Sequence, residues 1–322
     1  LERLKSIPVT SITKKMETGT IATGNDLVNK LISNTYWGQL SNYLSIPTDC
    51  PQRDERLGWT ADTQVFAETG TFFANTMKVF HKWMRDMRDT QNSLVGFPGV
   101  APLAQYGDEK MRLGWADAGI IVPWTVWKQF GDTQIIEENW NAMDLFMNYI
   151  NDTKYNHETL CGENGNYQWA DWLSYEPLES CSGLAFSPQG PLPDAAKYQQ
   201  MSDSAKAYIK ENFLNEDGTF KTAILNTMQT PALFALKNQL VEGEAKAKMI
   251  DRLRKNFAQH DLCLQTGFLG TSILMATLTE NGMEDIAYEL LFQRKNPSWL
   301  YSVDNGATTI WERWNSYMID KG

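Results

Sequence analysis

The stretch IEENWNAMDLFMNYI, residues 136–150, shows most clearly which secondary structure this chain forms. Its apolar side chains recur three or four positions apart, which puts them on one face of a helix. They are Ile136, Trp140, Met143, Phe146, Met147 and Ile150. The spacing therefore predicts an amphipathic helix in this stretch, and the same period returns along most of the 322 residues.

Helix boundaries can also be read from the residues that flank these periods. Asn25 or Asp26 is a suitable N-cap for one helix, and the apolar spacing of residues 60–80 predicts another that begins near Thr60. Further along, Thr230 before Pro231 predicts an N-cap followed by a proline at the first helical position. Helices are therefore expected in both halves of the chain.

Strand signals are limited to short pieces such as GTFKTA (218–223), and there is no regular alternation of strands with helices. The sequence predicts an all-α protein. About ten amphipathic helices can form a globin-like pile, a superhelical solenoid or a closed ring of helical hairpins. A solenoid normally shows a fixed sequence period, which is missing here. The pattern therefore favours a closed α/α toroid, although periodicity alone does not distinguish it from the pile.

Charge and hydropathy exclude two classes of partner. The net charge is −10 and the isoelectric point is near 4.9, whereas binding to nucleic acid requires clustered Lys and Arg. No run approaches the 18 or so apolar residues that a membrane span needs. The sequence therefore predicts neither a nucleic-acid partner nor a membrane span.

The start of the chain and its four cysteines bear on localisation and redox state. The first residues, LERLKSIPVT, have neither an initiator Met nor the pattern of a signal peptide, so we expect a piece of a longer protein. Localisation is open, and a periplasmic or extracellular site is favoured if the full-length protein carries a signal peptide. Cys161 and Cys181 either pair or stay free thiols, and Cys50 and Cys263 have no obvious partner.

Three segments combine carboxylates with tryptophan: residues 49–59, 162–173 and 305–316. Indole faces stack on the C–H patches of a sugar, and carboxylates accept its hydroxyls. The alternative is that each tryptophan is a core residue. Six tryptophans within three positions of an Asp or Glu favour sugar binding for the group: Trp59, Trp115, Trp169, Trp172, Trp311 and Trp314.

The segment DCPQRDERLGWTAD, residues 49–62, is the most highly charged of these. A solvated salt-bridge cluster is one explanation. However, Pro51, Leu57, Gly58 and Trp59 predict a tight, partly apolar loop, in which a carboxyl group has its ionisation set by its surroundings. Glycoside hydrolysis needs one acid that is protonated and another that is ionised. For the second carboxylate, Glu312 is the best distant candidate.

These residues also match a known family. The segment 49–62 resembles the signature of the bacterial α-L-rhamnosidases of glycoside hydrolase family 78. Further matches follow in the same order: RLGWADAGIIVPW (112–124), WADWL (169–173), TGFLGT (266–271) and GATTIWERWNS (306–316). The resemblance implies an (α/α)6 barrel, or helical toroid, that hydrolyses terminal α-L-rhamnosyl residues with inversion at the anomeric carbon.

The resemblance also implies a role for individual side chains. Glu55 falls at the general acid and Glu312 at the general base, for which inversion requires carboxyl groups about 6.5 to 9.5 Å apart. No metal or other cofactor is implied. The residues that match substrate-binding positions or neighbour them are Asp49, Arg53, Trp59, Asp62, Trp115, Asp117, Trp169, Asp171, Trp172 and Trp311.

The chain departs from the family at its ends and near residues 186–200, where a helix is missing from the expected order. We expect residues 1–24 to be a linker from an absent β domain and residues 25–322 to be a C-terminally truncated toroid, and these gaps would leave the ring incomplete. The implied partner is a rhamnose-containing glycoside or polysaccharide, and the oligomeric state cannot be read from the sequence. The alternatives are a glycosidase for another sugar on the same toroid and a non-catalytic carbohydrate-binding relative.

Overall fold

The computed structural model of the chain describes residues 19–91, 96–103, 111–152, 169, 171–175 and 195–317. Within these ranges it is helical and contains no strand longer than an isolated bridge. The helices are α1 (Asp26–Asn42), α2 (Thr60–Phe73), α3 (Met77–Thr90), α4 (Ala118–Phe130), α5 (Gln134–Asp152), α6 (Ala195–Phe213), α7 (Gln229–Lys237), α8 (Gly243–Gln259), α9 (Phe268–Glu280), α10 (Glu284–Phe292) and α11 (Trp299–Asp304). A 3-10 turn, Ala223–Thr227, precedes α7.

The predicted all-α class is confirmed. The stretch 136–150 lies within α5, and its apolar stripe is buried against neighbouring helices. Helix α1 is capped by Asn25, whose side-chain oxygen accepts from the backbone N–H groups of Leu27 and Val28. This bonding satisfies two of the donors that a helix leaves open at its first turn.

Two predicted boundaries are wrong. The apolar pattern of residues 60–80 spans two helices, because α2 ends at Phe73 and α3 begins at Met77. Helix α7 begins at Gln229 after Met228, so Thr230 lies inside the first turn and is not its N-cap. The hydroxyl of Thr230 instead donates to Asp171, 59 positions away. The hydroxyl that was expected to cap the helix therefore forms a tertiary hydrogen bond.

The helices pack around two hydrophobic clusters. The first contains buried residues from Tyr43 to Met201 and includes Trp83 and Phe97, whereas the second contains buried residues from Ile209 to Leu290. Helix α2 contacts α4 within the first half, and α7 contacts α9 within the second. This arrangement fits the predicted helical toroid, with one half of the described ring built on each cluster.

Contacts between α2 and α9, and between α1 and α11, join the two halves. At the second junction, the buried side chain of Asn34 on α1 donates from Nδ2 to the carbonyl oxygen of Ala307, just after α11, at 3.0 Å. The first and last described helices therefore pack together, which brings the segment after α11 back to the start of the domain.

None of the helices in the described part of the chain combines the length and apolar character that crossing a membrane requires. Cys50 and Cys263 are buried free thiols. The suggested pair, Cys161 and Cys181, lies outside the described residues, as does most of the segment from 186 to 200 and the whole of 1–18. The linker and truncation boundaries therefore stay predictions.

Candidate active site

The charged loop, residues 49–59, is closed by backbone hydrogen bonds. The N–H of Asp49 donates to the carbonyl oxygen of Leu57 at 3.2 Å, and the N–H of Ala101 donates to that of Gly58 at 3.0 Å. A Cβ at Gly58 would lie 2.2 Å from the Ala101 carbonyl oxygen, so no larger residue fits this close approach. The apolar end of the loop is therefore fixed, while its charged residues project to the exposed side.

Arg53 brings the two distant glutamates together. Its Nη2 donates to Glu312 Oε1 at 2.7 Å, and its Nη1 lies 3.9 Å from Glu55 Oε1. Because both contacts end on one planar guanidinium, these two carboxylate oxygens are at most about 9 Å apart. Trp59 Nε1 also approaches Glu55 Oε1, at 3.5 Å. Glu55 and Glu312 thus face one shared site, although 257 positions separate them in the chain.

The C-terminal loop, residues 305–317, carries Glu312 and is held by its aromatic side chains. Trp314 Nε1 donates to the carbonyl oxygen of Thr266 at 2.8 Å, and its ring packs edge-on against Trp299. Trp311 lies between Tyr301 and Tyr317 in edge-on contacts. Trp311 precedes Glu312 in the sequence and Trp314 follows it, so the packing of these two side chains fixes the position of the segment that carries Glu312.

Four tryptophans form an aromatic cluster next to Glu55. The ring of Trp169 is central, with centroids 6.1 Å from Trp59, 6.4 Å from Trp115 and 5.1 Å from Trp172. The guanidinium of Arg112 lies over Trp169, 5.7 Å from its centroid. Three separate segments of the chain therefore contribute to one cluster of indole rings, in which Trp115 is buried at 3% exposure and the other three rings are partly exposed.

Asp49 and Asp62 are two further acids that interact electrostatically with Arg53. Burial raises the pKa of Asp49, and burial together with the charges of Asp49 and Glu312 raises the pKa of Asp62 well above its ordinary value. Asp49 Oδ2 accepts from the Cys50 thiol at 3.1 Å, whereas Asp49 Oδ1 is buried and accepts no hydrogen bond from a described residue. Buried carboxylate oxygens are normally paired, so Asp49 has an acceptor available for a ligand hydroxyl.

Asp171 is hydrogen-bonded to the protein itself. It accepts from Thr230 Oγ1 at 2.6 Å and from the backbone N–H groups of Gly267 and Gly270 at 2.8 and 3.0 Å. These donors lie at the start of α7 and α9, where an acid also complements the helix dipole. Asp171 thereby fixes the segment that carries the neighbouring Trp172, and its direct contact with a ligand stays a prediction.

Asp117 is also used by the protein. It is 3% exposed, and its Oδ2 accepts from the backbone N–H of Gly114 at 2.6 Å. Gly114 has a φ of +79°, a left-handed conformation that favours glycine. Burial raises the pKa of Asp117 to about 6. The bond shapes the turn that carries Trp115, and a direct contact of Asp117 with a ligand stays a prediction.

We expect the raised pKa of Asp117 to appear in the pH dependence of stability. The pKa of Asp117 is higher in the folded than in the unfolded state. Its stabilising contribution to the free energy of unfolding is therefore fully present below pH 3.8 and is lost as the pH rises through about 6. Relative to Asp117→Asn, the wild-type protein should gain about 2 kcal/mol in free energy of unfolding between pH 7 and pH 4. Urea unfolding of both proteins at the two pH values measures this, with the exposed Asp251→Asn as control. An equal difference at both pH values would contradict it.

The structure brings most of the predicted residues to one region. Arg53 contacts both Glu55 and Glu312, and its charge also acts on Asp49 and Asp62, whose pKa values it lowers against the effect of burial. Trp59, Trp115, Trp169 and Trp172 share the adjacent aromatic cluster, while Trp311 supports the C-terminal loop. Sequence reasoning missed two residues, Gln52 and Arg112. Both lie inside the recognised segments, but no local pattern marked them.

An all-helical ring with acids and tryptophans gathered on its loops is the architecture of a helical-toroid glycosidase. A profile described as the bacterial alpha-L-rhamnosidase 6 hairpin glycosidase domain matches residues 16–185 and 187–322. The chain belongs to this family. The recognition made from the sequence motifs is thereby confirmed.

Individual relatives agree with the profile. An alpha-L-rhamnosidase of Formosa agariphila is 36% identical over 328 residues, which cover 95% of this chain and 34% of that protein. Another, of Streptomyces avermitilis, is 35% identical over 305 residues, which cover 92% of this chain and 29% of that protein. This chain therefore spans about a third of the length of the curated relatives it matches.

A solved structure gives the same result for the fold. The crystal structure of Streptomyces avermitilis alpha-L-rhamnosidase complexed with L-rhamnose superposes with a TM-score of 0.82 at 32% identity, over 95% of this chain and 30% of that chain. That of native alpha-L-rhamnosidase from Aspergillus terreus also has a TM-score of 0.82, at 29% identity, over 95% of this chain and 37% of that chain. The helical domain therefore has the fold of these larger proteins.

Proposed function

We propose that this protein is an α-L-rhamnosidase that hydrolyses terminal α-L-rhamnosyl residues with inversion at the anomeric carbon. The observation that carries the proposal is the contact of Glu55 and Glu312 with the same guanidinium, that of Arg53. Their oxygens are at most about 9 Å apart, which is compatible with the separation of about 6.5 to 9.5 Å that inversion requires for one water molecule. Family membership supports rhamnose as the sugar.

In this proposal Glu55 is the general acid and Glu312 the general base. Glu55 protonates the departing glycosidic oxygen as its bond to the anomeric carbon breaks. Glu312 takes a proton from the water that attacks that carbon from the opposite face. The contact with Arg53 supports the role of Glu312, because it holds the carboxylate at one oxygen within the site. The charge of Glu312 raises the pKa of Arg53, so Arg53 stays charged.

The side chains around the pair fit a monosaccharide. The partly exposed rings of Trp59, Trp169 and Trp172 offer faces for the apolar side of the sugar, and the buried Trp115 packs behind Trp169. The buried Oδ1 of Asp49 offers an acceptor for a hydroxyl. We propose Asp62, Arg53 and Trp311 as further binding residues, with Asp117 and Asp171 at the edge of the same site.

The anomeric form of the first product tests the proposal. Hydrolysis of 4-nitrophenyl α-L-rhamnopyranoside, followed by proton NMR in the first minutes, should show β-L-rhamnose before mutarotation, since inversion converts an α glycoside into a β sugar. α-L-Rhamnose as the first product would contradict inversion. A panel of aryl glycosides serves as control: release from another sugar alone would indicate a different specificity, and no release from any would favour a binding module.

A further inference from the structure

Gln52 lies against the carboxylate to which we assign the role of general base. Its Nε2 donates to Glu312 Oε2 at 3.3 Å, while Arg53 Nη2 donates to Glu312 Oε1 at 2.7 Å. Two consecutive residues of the charged loop therefore bind the two oxygens of one carboxylate, about 260 positions further along the chain. The same loop also carries Glu55 three residues later.

Two donors on two oxygens fix the orientation of Glu312. A carboxylate bound at one oxygen can still turn about its last bond, because torsions of this type have broad minima. A second donor on the other oxygen restricts that rotation. A general base must direct an oxygen to the proton it removes, within about 2.6 to 3.2 Å. Gln52 supplies the second point of attachment that this orientation needs.

The neutral amide also suits the charges around it. Among the described residues, Arg53, Cys50 and Asp62 interact electrostatically with Glu312, and Arg53 in turn interacts with Asp49 and Glu55. A second cation at position 52 would bind the ionised carboxylate more strongly and make it a weaker base, whereas an acid there would repel it. A glutamine adds a hydrogen bond without adding charge.

We propose that Gln52 is a positioning residue for the general base, acting on turnover through its hydrogen bond to Glu312 Oε2. This inference rests on the proposed function, because it assumes that Glu312 removes a proton from water. The charged loop then has two roles, since it presents the acid Glu55 and also orients the base.

Two substitutions of nearly equal size test the inference. Gln52→Met removes the donor, and we expect kcat on 4-nitrophenyl α-L-rhamnopyranoside to fall about tenfold with KM nearly unchanged, the loss typical of one hydrogen bond to a charged group. Gln52→Glu replaces the donor by a like charge and should lower kcat further. The acidic limb of the kcat/KM profile should move to higher pH in both variants, further in Gln52→Glu. A merely structural role would not produce this order.

Gln199→Met is the matched control. Gln199 Nε2 donates to Asp203 Oδ1 at 2.9 Å on the exposed side of α6, so this variant removes the same kind of bond away from the site. It should leave kcat and the pH profile unchanged. Glu312→Gln, measured in parallel, separates the two proposals. If Glu312→Gln is inactive while both Gln52 variants match the wild type, the role of Gln52 is refuted alone. If Glu312→Gln is active, the proposed function itself fails.

Discussion

Glu312→Gln should lower kcat/KM on an aryl α-L-rhamnoside by about 10³-fold, the loss expected when a general base is removed. The amide has the size of the carboxylate and can still accept a hydrogen bond from Arg53, but it cannot take a proton from water. We therefore expect the fold and substrate binding to persist. Steady-state kinetics give the loss, and circular dichroism with thermal unfolding checks the fold.

Chemical rescue makes this test specific to the base. In Glu312→Ala, added azide needs no deprotonation and can attack the anomeric carbon directly, displacing the protonated leaving group to give β-L-rhamnosyl azide. Turnover should rise with azide concentration in this variant and not in the wild type. Glu244→Gln is a matched control, because the Glu244 side chain is 82% exposed and pairs with Lys248 on the surface of α8. Near-full activity of Glu312→Gln would refute the assignment.

Glu55→Gln should cause a loss that depends on the leaving group. Without an acid, a poor leaving group such as an alkyl alcohol departs unprotonated, and kcat should fall by about 10³-fold or more. A good leaving group such as 2,4-dinitrophenolate needs little protonation, so its hydrolysis should be much less affected. Rates for a series of α-L-rhamnosides with leaving groups of different acidity measure this dependence.

The contrasting result would change the role of Glu55. An equal loss for all leaving groups would mean that Glu55 binds or orients the substrate without transferring a proton. Glu68→Gln serves as control, since the Glu68 side chain is 65% exposed and pairs with Lys128 on the outer surface. It should behave as the wild type with every substrate.

The sequence predicted the helical class because apolar periodicity is a local property that burial then satisfies, as in α5. It failed where a boundary has no periodic signal. Between α2 and α3 the apolar spacing continues, yet the chain turns at Asn75, whose side chain accepts from the N–H of Met77. At α7, Thr230 bonds to a distant acid and does not cap its helix. Neither the turn at Asn75 nor the hydrogen bond of Thr230 can be predicted from the local apolar pattern.

The candidate site was predicted from recognised motifs more than from physical reasoning. Composition pointed to acids beside tryptophans and to Glu312 as a distant second acid, and the resemblance then assigned the roles of Glu55 and Glu312. The contacts through Arg53 and Gln52 join residues about 260 positions apart, so no spacing rule reveals them. The hydrogen bonds that Asp171 accepts within the protein could not be predicted either, because their donors lie at helices much further along the sequence.

The division of the domain into two hydrophobic clusters has a consequence for turnover. The proposed acid, Glu55, stands on a loop attached to the first cluster, whereas the proposed base, Glu312, follows a helix of the second half and is anchored there by Trp314. The distance between the two carboxylates thus depends on how the two halves pack together, through the contacts of α1 with α11 and of α2 with α9. Substitutions far from any sugar that tilt one half against the other will change the rate while both halves stay folded.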